Sequence, residues 1–169
     1  EMKEGQKYVY YASAETKEDL MSMPQMDALK KKDFDVLLLT EEVDEFVLQV
    51  LQKFDDIEFK SVNQGDLDLL TDEEKESAKK LSEEKQDLLT KIKTSLSGKV
   101  KDVVISTRLT ESPVCLVSGD GISFEMEKVM NDLPNGSNIK AERILEINPN
   151  HPIFKVLENI QDDENKLTD

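Results

Sequence analysis

The sequence predicts an α/β fold in two units: a small three-layer α/β module with a parallel sheet, then an α+β domain with a long helix, a three-stranded sheet and an amphipathic helix. Three observations predict it. Short β-rich runs at Tyr8–Ala12, Phe34–Leu39 and Ile57–Val62 alternate with helix-patterned segments. A long segment from Thr71 to about Ser97 keeps one apolar face until Gly98 stops it. Val114, Cys115, Leu116 and Val117 form a continuous apolar run bounded by Pro113 and Gly119, the pattern of a buried strand. The polar, turn-forming group Asn63, Gln64, Gly65 and Asp66 separates two periodic stretches and sets the expected domains at residues 1–64 and 65–169.

In the first unit, the strand over Lys7–Ser13 is followed by Thr16, placed to cap a helix with Asp19 three residues on. Pro24 interrupts the helical stretch Lys17–Lys32, because it lacks an N–H and biases Met23 away from helical dihedrals; two short helices are expected. Phe34–Leu39 reads as a strand buried on both faces, and Thr40 as the cap of a helix opening with Glu41 and Glu42. On that helix Val43, Val47, Val50 and Phe54 share a stripe, with Leu51 and Phe46 flanking it on opposite sides. Ile57–Val62 alternates apolar and polar residues and closes a right-handed parallel arrangement as a third strand.

The second unit starts with T-D-E-E, a capping box from Thr71 to Glu74. An unbroken helix to Ser97 would be on the order of 38 Å long, more than one small core needs, so part of it is expected to be a solvated spacer. Val100–Ser106 and Val114–Val117 read as a hairpin joined by the polar Thr107–Ser112 turn. Beyond Gly121 comes a methionine-bearing amphipathic helix: Ile122, Met126, Val129 and Leu133 fall on one stripe, Met130 at its edge, and Phe124 lies nearly opposite. Apolar groups on two sides leave two readings open, the core face of a packed helix or a binding surface on which flexible thioethers suit irregular apolar partners. LPNGSN reads as a loop, Ile144, Leu145 and Ile147 as a third strand, and Pro152 as the first position of a last helix whose face is Ile153, Phe154, Leu157 and Ile160. The tail DDENKLTD is too polar to specify a buried element.

Composition narrows the function classes. With 37 Asp plus Glu against 22 Lys plus Arg, the formal net charge of −15 repels phosphate backbones beyond a Debye length of roughly 8 Å, so nucleic acid is not an expected partner. No run of apolar residues is long enough for a membrane span, and no membrane partner is expected. The single cysteine, Cys115, lies in an apolar strand and reads as a buried structural thiol of a reducing compartment, here the cytoplasm. The chain opens with Glu1 rather than Met, the expectation being a piece of a longer protein. The strand and helix order also suits a phosphoacceptor receiver or another α/β enzyme domain, but the strand ending at Leu39 is followed by Thr40 rather than Asp. Neither a P-loop nor G-x-G-x-x-G is present. The single histidine, His151, lacks ligand-spaced partners and reads as a helix-entry residue rather than a metal ligand, and with one Cys it leaves almost no nucleophilic triad available.

The stretches RLTESPVCLVSGDGISFEMEKVM and AERILEINPNHPIF resemble the carboxy-terminal domain of the bacterial ninety-kilodalton heat-shock chaperone family. EMKEGQKYVYYASAET and DVLLLTEEVDEFVLQVLQKFDDIEFKSV are similar to the last part of that family's middle domain. The resemblance implies a chaperone piece that binds non-native client proteins. It places client contacts on the helix matching Gly121–Met130, with Ile122, Phe124, Met126, Val129 and Met130, and on a facing helix where an acid–aromatic pair corresponds to Glu45 and Phe46. It also implies that ATP and Mg²⁺ act in a domain outside this chain, so that the chain carries no cofactor and is no enzyme. The helices that make the parent a homodimer would follow Asp169, and this chain alone is expected to be a monomer or weakly associating.

Overall fold

The computed structural model describes residues 2–41, 43–133, 138–163 and 166–167. Glu42 at the expected helix start, most of the expected LPNGSN loop and part of the polar tail lie outside the described residues. The fold is mixed α/β, with two sheets.

The first sheet runs in the order β2-β1-β4-β3. β1 (Val9–Ser13) pairs in parallel with β2 (Val36–Leu39) on one side and β4 (Ile57–Ser61) on the other, and β3 (Lys53–Phe54) adds an antiparallel edge to β4. Asp55 and Asp56 join β3 to β4 with φ of 48° and 65°, the pair of positive values that a two-residue hairpin turn of matching twist requires. Period-2 alternation on β1 sends Tyr10 and Ala12 to one face, where they pack with Leu20, Met26, Leu29 and Val62. Leu67 and Leu69, beyond the polar turn, join the same core, and the Tyr10 hydroxyl donates to the Leu67 carbonyl at 2.8 Å. This face is covered by α1 (Lys17–Ser22), a 3-10 turn at Pro24–Met26 and α2 (Asp27–Lys31). The Thr16 cap on Asp19 and the break at Pro24 are as the residues predict.

The other face carries α3 (Asp44–Leu51), and here the expectations need correcting. Thr40 does not cap it; the helix starts after Val43 without a side-chain cap. Its apolar stripe does not face the sheet: Val43, Val47 and Val50 are 62%, 52% and 86% exposed, and Phe54 is exposed in β3. The residue α3 buries is Glu45. β2 is not buried on both faces either, since as the sheet's edge it leaves Leu37 exposed.

In the second unit the long helical stretch is broken at Lys85 into α4 (Asp72–Glu84) and α5 (Gln86–Ser95). The Thr71–Glu74 capping box is complete, and α4 buries no residue, as a solvated spacer does. α5 turns Leu88, Leu89 and Ile92 onto Val103, Ile105, Ile147 and Phe154. The second sheet has the order β5-β7-β6: β5 (Asp102–Ile105) runs parallel to β7 (Arg143–Ile147), and β6 (Val114–Ser118) antiparallel to it. The expected β5–β6 hairpin does not form, because β7 lies between its two strands. α6 (Phe124–Asp132) and α7 (Pro152–Ile160) complete the unit, α7 capped by His151, whose Nδ1 accepts from the Ile153 N–H at 3.2 Å. Cys115 is buried, which pushes its thiol up to about 12.

The two units meet through polar contacts more than through shared apolar core. A lone parallel bridge pairs Gln64 with Ser118, and the Gln64 amide donates to the carbonyls of Gly119 and Gly121. A Cβ at Gly119 would lie 2.5 Å from the Glu142 carboxylate, so a larger residue there would require that side chain to shift. Arg108, 1% exposed, pairs with the buried Glu146 and reaches across to donate to the carbonyls of Val62 and Gly65.

Candidate functional site: the junction of α3 and α6

Helix α6 is fixed by its first turn. Ser123 precedes two acids and caps the helix, its Oγ accepting from the Met126 N–H at 3.1 Å. The same hydroxyl donates to Glu45 Oε2 at 2.7 Å, tying the start of α6 to α3. A second tie runs from the Gln49 amide to Met126 Sδ at 2.7 Å. On the far side, Arg143 of β7 lies over the Phe124 ring, 5.4 Å from its centroid, and bridges to Glu127 at 2.9 Å. The Arg143 hydrogen bond holds the Glu127 carboxyl below its ordinary value.

Glu45 is the unusual group of this junction. It is 2% exposed, and its Oε1 has no hydrogen-bond partner among the described residues. Burial raises its pKa, the Ser123 hydrogen bond opposing and the Glu125 charge adding to the rise. Across from it, burial and then the Glu45 charge push the Tyr11 hydroxyl up to about 12.

Of the residues singled out in the sequence, Glu45 and Met126 are brought together as buried supports, Met126 at 7% exposure. Phe46, Ile122, Phe124, Val129 and Met130 are half-buried. The expectation of a partly exposed Met126 is thereby corrected: its thioether is occupied by Gln49 and packs as core. The sequence reading missed Ser123, Gln49 and Tyr11. Ser123 carried a signal, a serine directly before an acidic first turn; Gln49 and Tyr11 carried none, since their role depends on which face of α3 meets α6.

Beside the junction, a cleft of ≈ 590 Å³ opens where β1 and β2 end. Ser13, Ala14, Leu39 and Thr40 line it from the strand ends, Val43 and Val129 from the helices, and Glu15, Glu41 and Glu125 add carboxylates. Among the described residues no group of three His, Cys, Asp or Glu side chains could hold a metal ion.

The family model described as "Hsp90 protein" matches residues 1–169. The chain belongs to the Hsp90 family. It is 46% identical over 167 residues to "Chaperone protein HtpG" of Shouchella clausii, covering 98% of this chain and 27% of that protein. It is 47% identical over 167 residues to the Clostridium acetobutylicum protein of that name, covering 98% of this chain and 26% of the relative. The Bacillus subtilis chaperone of the same name is 40% identical over 168 residues, 99% of this chain and 27% of the relative. The chain thus spans about a quarter of the length of the curated relatives it matches.

The family match overturns one expectation. The chain was expected to be no enzyme because ATP was placed in a domain outside it, but the Hsp90 family match runs unbroken over residues 1–169, and that exclusion does not stand. Among the described residues no helix is long and apolar enough to cross a membrane.

Proposed function

We propose that this Hsp90-family chain binds non-native client polypeptide along the junction of α3 and α6. In this reading residues 1–64 are the end of the middle domain and 65–169 most of the carboxy-terminal domain of a cytoplasmic chaperone. ATP hydrolysis with Mg²⁺ and homodimerisation are activities of the whole protein. The observation that carries the proposal is the outward apolar stripe of α3, where Val43, Val47 and Val50 are more than half exposed on a single helix face. An apolar stripe turned to solvent is unexpected for a helix packed on its own sheet and marks a surface made for a partner.

Phe46, Ile122, Phe124, Val129 and Met130 extend the surface from α3 onto α6, with half-buried side chains that a partner can cover further. Glu45 and Met126 hold the two helices in register beneath it. A fluorescence-anisotropy titration of a labelled unfolded segment tests the reading, using wild type and the triple variant Phe46→Ser, Val47→Ser, Val50→Ser. Partial desolvation of three apolar side chains, less the ordering cost of a flexible client, gives a loss of affinity of roughly one order of magnitude or more. Equal affinity for both proteins, with circular-dichroism spectra showing both folded, would overturn it.

A further inference from the structure

We infer that the client segment taken up at this junction is basic as well as apolar, with a Lys or Arg side chain seated in the cleft at the ends of β1 and β2. This rests on the client-binding reading and adds the chemistry of the occupant. Val43 belongs both to the exposed stripe of α3 and to the cleft lining, so a chain laid along α3 passes directly into the cleft. Inside, Leu39, Val43 and Val129 offer apolar wall, and Glu15, Glu41 and Glu125 offer carboxylates. Lys and Arg match that division, an aliphatic stem against the wall and a charged head at the acids.

The charge is not cancelled from within. Lys128 bridges to Glu15 at 3.0 Å and to Glu125 at 3.1 Å, so among the described residues one ammonium stands against three carboxylates. Among the described residues the carboxylates form no metal cage. A volume of ≈ 590 Å³ falls in the range of about 300–1,000 Å³ typical of ligand clefts. The net charge of −15 adds long-range attraction for a basic segment and repels an acidic one.

The test uses two labelled unfolded peptides of equal length and apolar content, one with Lys and Arg at its polar positions and the other with Glu there. Each exposed ion pair contributes roughly a 1.5- to 5-fold effect, so with two or more pairs the basic peptide should bind wild type about tenfold more tightly at low salt. The preference should fall toward unity at about 1 M salt, where the Debye length is roughly 3 Å. It should shrink in Glu41→Gln and most in the triple variant Glu15→Gln, Glu41→Gln, Glu125→Gln, with melting curves confirming that each variant is folded. Equal binding of the two peptides to wild type would overturn the inference while leaving client binding standing. A basic preference undiminished in the triple variant would overturn the cleft assignment and trace the effect to overall charge. Failure of both peptides to bind would overturn the client reading and this inference with it.

Discussion

At the scale of single residues, Glu45 is the group whose environment departs furthest from what its chemistry prefers. It is a carboxylate at 2% exposure with one oxygen held by Ser123 and the other without a partner among the described residues. Burial, then the neighbouring Glu125 charge, favour its neutral form, so its pKa in the folded state lies above the ordinary 4.5. Between those two values the folded protein binds a proton that the unfolded chain has released. Stability therefore falls as pH rises from about 4.5 through the raised value. Tyr11 titrates far above this window. In Glu45→Gln the dependence disappears while the oxygen that accepts from Ser123 is kept. Urea midpoints from pH 4 to pH 8 should show wild type losing ground against Glu45→Gln as pH rises, and a constant difference across that range would contradict the account.

At the scale of elements, α3 and α6 carry apolar faces of opposite kind. The α3 stripe is exposed, whereas Met126 on α6 is 7% exposed and in contact with Gln49. Val50→Ser, at a position 86% exposed, should change stability by no more than about 0.5 kcal/mol. Met126→Ala removes packed atoms and should cost roughly 2–5 kcal/mol in a denaturant titration. Similar losses at the two positions would mean that the faces are not distinct. This contrast also marks where the residues alone were informative. Caps at Thr16 and Thr71, the first-turn proline Pro152, the break at Pro24, the β-rich strand β1 and the alternating strand β4 are local chemistry, legible in a few neighbouring residues. Periodicity found the α3 stripe, but a stripe has no sign: the sequence cannot say whether it meets its own sheet or a partner. The β5–β6 hairpin was misread for the same reason, since the strand that separates them, β7, comes from 25 and more residues downstream of β6. At the candidate site, the half-buried positions on α6 were legible, while the ties from Gln49 and Ser123 to α3 were fixed only by tertiary placement.

At the scale of the whole molecule, the question is what makes two small units act as one body. Asp27 of the first unit accepts from the backbone N–H groups of Thr110, Glu111 and Ser112, at 3.2–3.4 Å, and Ala28 N–H donates to the Arg108 carbonyl. Arg108 is the centre of this junction: it meets Glu146 through Nη2 at 3.0 Å and donates through Nη1 to Val62 O at 2.6 Å and through Nη2 to Gly65 O. Replacing it in Arg108→Met leaves the Glu146 carboxylate buried without its counter-charge, held only by the Ser106 hydroxyl, and takes the guanidinium donor from two carbonyls, a loss of roughly 3–5 kcal/mol. The chain contains three tyrosines and no tryptophan, and Tyr8, Tyr10 and Tyr11 all lie in the first unit, so tyrosine fluorescence reports that unit alone while far-ultraviolet circular dichroism reports both. In wild type the two probes should trace one coincident urea transition, as a cooperative body does. In Arg108→Met the midpoint should fall and the two curves should separate. The double variant Arg108→Met, Glu146→Met removes the orphaned charge, which should recover much of the stability. It does not restore the donors to Val62 and Gly65, so the probes should remain separated. Coincident curves in the double variant would show that the ion pair alone, and not the reach of Arg108 across the junction, couples the two units.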